Sequence, residues 1–102
     1  MKIAELISRY KAGQRDFRNL NLMAVNLRNL NLSGANFSGA NLTKANLAKA
    51  DLSQVNLSDA ILTGANLTDT KLIMANLTNA NLSEVDLSQA DLRGAILRGM
   101  VN

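Results

Sequence analysis

Catalysis needs side chains that can move protons, attack a substrate or hold a metal, and this sequence offers few. It has no histidine and no cysteine, which removes the commonest base, thiolate nucleophiles and most zinc ligand sets. No cofactor or metal site is expected. Eight acidic residues remain. Asp51, Asp86 and Asp91 sit in positions that elsewhere carry Asn, so they read as structural substitutes for Asn, not as an acid–base pair. The glycines are isolated from one another, whereas phosphate-cradling loops need clustered glycines opening a helix. An enzyme is not expected.

The elements carrying these side chains follow a period of five. From Ala35 to Leu52 the chain reads Ala-Asn-Phe-Ser-Gly, Ala-Asn-Leu-Thr-Lys, Ala-Asn-Leu-Ala-Lys and Ala-Asp-Leu. Followed both ways, the large apolar residue falls at Phe17, Leu22, Leu27, Leu32, Phe37, Leu42, Leu47, Leu52, Leu57, Leu62, Leu67, Leu72, Leu77, Leu82, Leu87, Leu92 and Leu97, 17 consecutive positions and the expected structural core. A helix turns roughly 100° per residue, so leucines five apart would spiral around it. A strand alternates sides, and five is odd. Only a bend in every repeat aims all of them inward. The Ala and the Leu, two apart, then point in together from a short extended piece, and the next two residues turn a corner. Such coils stack through strand-type hydrogen bonds at about 4.7–4.9 Å.

Fourteen of the 17 residues before the central one are Asn or Asp, the exceptions being Ile61, Lys71 and Ile96; ten of the 17 small positions are Ala. This A-(D/N)-L-x-x pattern resembles the pentapeptide-repeat family from about Arg15 to Met100. The resemblance implies an all-β solenoid, a right-handed quadrilateral β-helix with four repeats, or 20 residues, per coil. Phe17 and Phe37 lie 20 apart and are expected to stack. Asn residues 20 apart, such as Asn36, Asn56 and Asn76, suggest outward amide ladders. Ser or Thr after the central residue in ten repeats suggests hydroxyl bonds to corner backbone. Gly34, Gly39, Gly64, Gly94 and Gly99 all fall in the second corner position, where positive φ is useful. One repeat cannot fold alone. Burying a Leu is worth about 1.5–3 kcal/mol, while ordering a backbone residue costs about 1–2 kcal/mol, so stacking must supply the remainder, and 17 repeats give about four coils, enough for a cooperative fold.

Residues 1–14 break the rule and form the first of two expected units; residues 15–102 are the β-helix. Ile3, Leu6, Ile7 and Tyr10 make one amphipathic stripe, with Gly13 as helix stop. The first coil of a solenoid leaves its apolar interior and strand edge open, and an N-terminal helical cap would close both. Leu20, Val25 and Leu30, larger than the usual Ala, would fill the space beneath it. Arg15 belongs at the junction, near Asp16 or a helix-end carbonyl. The other end has no such helix before Met100, Val101 and Asn102. The last coil should expose Leu82, Leu87, Leu92 and Leu97, with Met100 and Val101 beside them, and invite a homodimer through the C-terminal coil. Leu92, Leu97, Met100 and Val101 are therefore candidate interface residues. Ile73 and Met74 replace polar corner residues and should point outward, as a partner patch or as tolerated drift.

The net charge of +3 is too small to imply nucleic acid, and no aromatic residues interleave with the basic ones. No signal peptide or membrane span is evident, and a cytoplasmic location is the default. The reading is a non-catalytic structural or protein-interaction module with an unidentified protein partner. The alternative comes from the resemblance, since some pentapeptide-repeat proteins mimic DNA and modulate DNA gyrase. A basic, short chain is poorly suited to that mimicry.

Overall fold

Ile3, Leu6, Ile7 and Tyr10 share one side of α1 (Ile3–Lys11), the single helix of the computed structural model, which describes residues 1–102. Nine residues are too few to be helical alone in water, so packing must hold them. Leu6 is fully buried, and Ile3 and Tyr10 lie against the core. Gly13 ends the helix with φ 101°. Its N–H donates to the Tyr10 carbonyl, and that of Gln14 to the Arg9 carbonyl, both at 3.0 Å.

From Asp16 onward, parallel bridges join residues 20 apart: Asp16 to Asn36, Asn21 to Asn41, Asn26 to Asn46, Asn31 to Asp51, and so on up the stack. Four bridges in 20 residues give each coil four sides. Every bridge is a pair of bonds. Phe17 N–H donates to the Asn36 carbonyl at 2.8 Å, and Asn36 N–H to the Arg15 carbonyl at 2.7 Å. Each side is one bridge wide because a corner follows at once. At the corner the large residue's carbonyl accepts from the N–H three residues on, as Phe37 does from Ala40 at 3.0 Å. With positive φ at the third residue only, this is the pattern of a type II turn. The large side chains stack inside, and the Phe17 and Phe37 rings lie 5.4 Å apart and 20° from parallel.

The Asn and Asp residues have a different task from the ladders anticipated. In all 14 cases Oδ1 accepts the backbone N–H two residues on, within its own repeat, as in Ser38 to Asn36 (2.9 Å) and Ser53 to Asp51 (3.0 Å). No amide bonds to an amide in the next coil. The corner N–H points away from the ladder, and a short side chain with an acceptor two residues back is what can reach it. Asp serves as well as Asn because only the acceptor is used. Corner hydroxyls also differ from expectation: Thr43, Thr78 and Ser83 donate to the preceding Asn Oδ1, not to backbone. Thr70, in a small-residue position, is buried and donates to the Leu47 carbonyl at 2.8 Å.

Positive φ occurs at 11 non-glycine corner residues, including Lys44, Gln54, Met74 and Glu84, as well as at the corner glycines. Backbone conformation alone therefore does not require glycine here. At Gly39 and Gly99 a Cβ would overlap Oδ1 of Asn19 and Asn79, one coil earlier, so close approach explains those two.

Two places depart from the regular stack. The Asn66–Asp86 bridge that the register requires is missing, and Asp69 N–H reaches the Gln89 carbonyl at 2.9 Å instead of that of Ser88. Gln89 is also the one residue in the second corner position without positive φ. At the start, α1 covers the apolar interior of the first coil but does not pair its edge: no backbone hydrogen bond joins residues 1–14 to the edge of the first coil. Side chains supply two bonds instead, from Tyr10 Oη to the Ser33 carbonyl (2.6 Å) and from Gln14 to the Asp16 carbonyl (2.8 Å). A helix has its own N–H and C=O groups engaged along its axis, so it shields apolar atoms without completing a ladder.

Candidate functional site

Leu87, Leu92 and Leu97 follow the same rule as the buried leucines, but no other coil of residues 1–102 covers them. Burial falls in chain order: Leu82 is 0% exposed, Leu87 and Leu92 are half-buried, and Leu97 is 42% exposed. Leu82 is thus not part of the open end, and Leu97 is not core. The reason is the last turn of chain: Leu82 N–H donates to the Val101 carbonyl at 2.7 Å, and Met100 packs against the core from the same segment. The N–H groups of Leu87, Leu92 and Leu97, equivalent to those that join earlier coils, have no partner. Apolar tops and unpaired strand edge coincide on one surface.

The side patch is redistributed. Met74 is 60% exposed, but Ile73 beside it is half-buried, contrary to the outward orientation expected. Met74 leans toward the last coil, its Cγ 3.0 Å from where a Cβ of Gly94 would be. Exposed Ile96, two residues beyond Gly94, and Val101 lie on sides of that same last coil. Met74 therefore belongs with the C-terminal rim and not with Ile73. The 20-residue offset between Met74 and Gly94 was visible in the sequence; the direction of the Met74 side chain was not. Ile61 is exposed on the side that carries Val101, two coils earlier, with Asn81 between them.

At the opposite end, Ile7 and Tyr10 of α1 face Leu30 and Leu32 of the first coil across a cavity of about 260 Å³, with Lys11 and Asn31 at its rim. Arg15 lies over the Tyr10 ring at 3.7 Å and donates to the Tyr10 carbonyl at 2.8 Å, a helix-end carbonyl as expected. Asp16 instead pairs with Arg18 at 2.9 Å. Leu20, Val25 and Leu30 are half-buried against the core beneath the helix.

Four of the carboxylates are engaged in corner bonds. Asp16 and Asp91 are held below the usual range by hydrogen bonds from the Arg18 and Arg93 side chains, and then by the backbone N–H of the same arginines. Asp51 is lowered by the Ser53 backbone N–H, and Asp86 by hydrogen bonds from Ser88. Groups kept ionised by corner bonds are poor proton donors and acceptors near neutrality.

Pentapeptide repeats match the chain as a family in eight copies, over residues 21–59 and 60–99. No curated protein matches it significantly. A crystal structure of a pentapeptide repeat protein from Nostoc PCC 7120 is similar at TM-score 0.77 and 41% identity, covering 92% of this chain and 74% of that one. A pentapeptide repeat protein of the Arabidopsis thaliana thylakoid lumen aligns at TM-score 0.80 and 33% identity, over 84% of this chain and 60% of its own. HetL, a pentapeptide repeat protein involved in heterocyst differentiation regulation in Nostoc, aligns at TM-score 0.50 and 34% identity, over 98% and 46%. The bridges at 20-residue intervals, the Asn-capped corners and these likenesses agree: the chain belongs to the pentapeptide-repeat family, and its solenoid is that family's right-handed quadrilateral β-helix.

Proposed function

We propose that this protein is a non-catalytic interaction module whose working surface is the C-terminal end of the solenoid, and that the surface is met by a second copy of itself. The observation carrying this reading is the coincidence, on the last coil, of falling leucine burial and unpaired N–H groups. A self-complementary surface of this kind suits a two-fold contact. The shorter molecular dimensions, 24 and 23 Å, give the end a footprint on the order of 500 Å², below the roughly 800 Å² per partner of standard interfaces. The contact is therefore weak unless Met74 and Ile96 on the rim join it, and association belongs in the micromolar range. Binding of a different protein would use the same exposed groups once the dimer is dissociated.

Light scattering after size exclusion, from low micromolar concentration upward, tests this on wild type and Leu97→Arg. The reading predicts a mass rising from monomer toward dimer with concentration, and a monomer throughout for the variant. A wild-type monomer at every concentration contradicts self-association. A dimer unchanged by Leu97→Arg places the contact elsewhere.

A further inference from the structure

The basic charge of the molecule is concentrated at one end. Residues 1–34, comprising α1 and the first coil, hold six basic and two acidic side chains, whereas the other 68 hold five basic and six acidic. Both acidic groups of the first set are already paired, Glu5 with Arg9 and Asp16 with Arg18, and Arg15 is stacked on Tyr10. Lys2, Lys11 and Arg28 are left without a carboxylate partner. Lys11 stands at the rim of the cavity between α1 and the first coil.

Unpaired backbone groups of Asn31 line the same cavity, while the next carbonyl on that edge, of Ser33, is taken by Tyr10 Oη. One coil later the equivalent residue, Asp51, donates its N–H to the Leu30 carbonyl at 2.9 Å and accepts from Leu32 N–H at 3.0 Å. The N–H and C=O of Asn31 face the opposite way, toward α1, and neither has a partner. The walls beside them are apolar, from Ile7, Tyr10, Leu30 and Leu32. A cavity of about 260 Å³ falls below the roughly 300–1,000 Å³ of small-molecule sites and has room for one large side chain. The unpaired Asn31 groups, the single apolar pocket and Lys11 beside it together specify the occupant.

We propose that this groove binds an extended acidic peptide segment of a partner protein, added as a parallel strand to the edge at Asn31. The central residue of the segment takes the place a preceding coil would give it. The carbonyl before it accepts from Asn31 N–H, and the N–H after it donates to the Asn31 carbonyl. Side chains alternate along a strand, so the two neighbours of the central residue point inward, one of them into the Ile7/Leu30/Leu32 pocket, while the central side chain points out toward Lys11. The recognised pattern is apolar–acidic–apolar, a form of β-strand addition. A nucleic-acid strand brings negative charge but no peptide groups for the edge.

The test is an NMR titration of the ¹⁵N-labelled chain carrying Leu97→Arg, which keeps the far end out of the experiment and makes this proposal independent of self-association. The probe is a blocked Ser-Val-Asp-Leu-Asp-Ser peptide. Expected are saturable shifts at the amides of Ile7, Lys11 and Asn31, and affinity reduced roughly three- to fivefold by Lys11→Glu, as loss of one exposed ion pair allows. The same peptide N-methylated at Leu, which cannot donate to Asn31, should not bind, nor should one with Lys for both Asp residues. No shifts at millimolar peptide, shifts confined to the last coil, or equal binding of the N-methylated peptide would overturn the proposal. So would an oligothymidylate moving the same three amides.

Discussion

At the start of the solenoid, Phe17, Leu22, Leu27 and Leu32 are fully buried although their coil has another coil on one side only; at the far end, Leu92 is half-buried and Leu97 exposed. The central residues are Leu or Phe in the same register at both ends. What differs is the cover: α1, with Leu20, Val25 and Leu30 beneath it, lies over the first set, and residues 1–102 hold no counterpart over the second. In a stacked repeat each unit takes its stability from its neighbours, so identical repeats differ in worth according to what covers them. The backbone edges divide differently. Both ends keep unpaired N–H and C=O groups, because a helix hides apolar atoms without extending a ladder. The N-terminal end thus has its central side chains covered and its backbone edge unpaired, whereas the C-terminal end is open in both respects.

The strongest test of this contrast is a pair of matched truncations. Leu57→Ala, in the middle of the stack at 0% exposure, should cost about 2–5 kcal/mol in urea denaturation. Leu97→Ala, at the open end, should cost less than about 1 kcal/mol under conditions where the chain is monomeric. Equal costs at the two sites would break the comparison.

A smaller effect is expected at the cap. Tyr10→Phe removes the hydroxyl bond to the Ser33 carbonyl while leaving the ring against the core, and should lower stability by about 0.5–1.5 kcal/mol. No loss would mean that apolar contact alone holds α1 in place.

Much of this architecture was legible in the residues. Leu or Phe at every fifth position forces a bend per repeat, and the Ile3/Leu6/Ile7/Tyr10 stripe identifies the cap, because both are statements about which side chains must leave water. Hydrogen-bond partners were less legible. Asn36 and Asn56 do lie one coil apart, but spacing alone does not say whether an Oδ1 turns to the next coil or to the N–H two residues on; the unmet donor at the corner decides it. Leu82 looked like part of the exposed end until the last turn of chain, reaching back through Val101, covered it. The groove left one hint, Leu30 where Ala is usual, since a bulky residue there makes an apolar wall. The irregular corner at Gln89 left none that we can identify.

The weakest expected effect concerns acid. Asp16, Asp51, Asp86 and Asp91 all have depressed carboxyl values in the fold. Their contribution is complete above the ordinary Asp value of about 3.9 and is lost as pH falls through the lower folded values. The melting temperature followed by circular dichroism should therefore hold from neutrality to about pH 4 and decline below it. Asp51→Asn and Asp86→Asn keep the corner acceptor and should make that decline shallower. An unchanged slope in both would mean that their corner bonds do not distinguish the folded from the unfolded chain.

The account turns on whether the last coil is a surface waiting for a second copy. Hydrogen exchange read amide by amide, on dilute and concentrated protein, addresses that directly. Leu87, Leu92 and Leu97 amides should exchange freely in dilute wild type and gain protection as concentration rises, while in Leu97→Arg the other two stay unprotected throughout. Exchange at these amides that is fast at every concentration, or slow at every concentration, would contradict it.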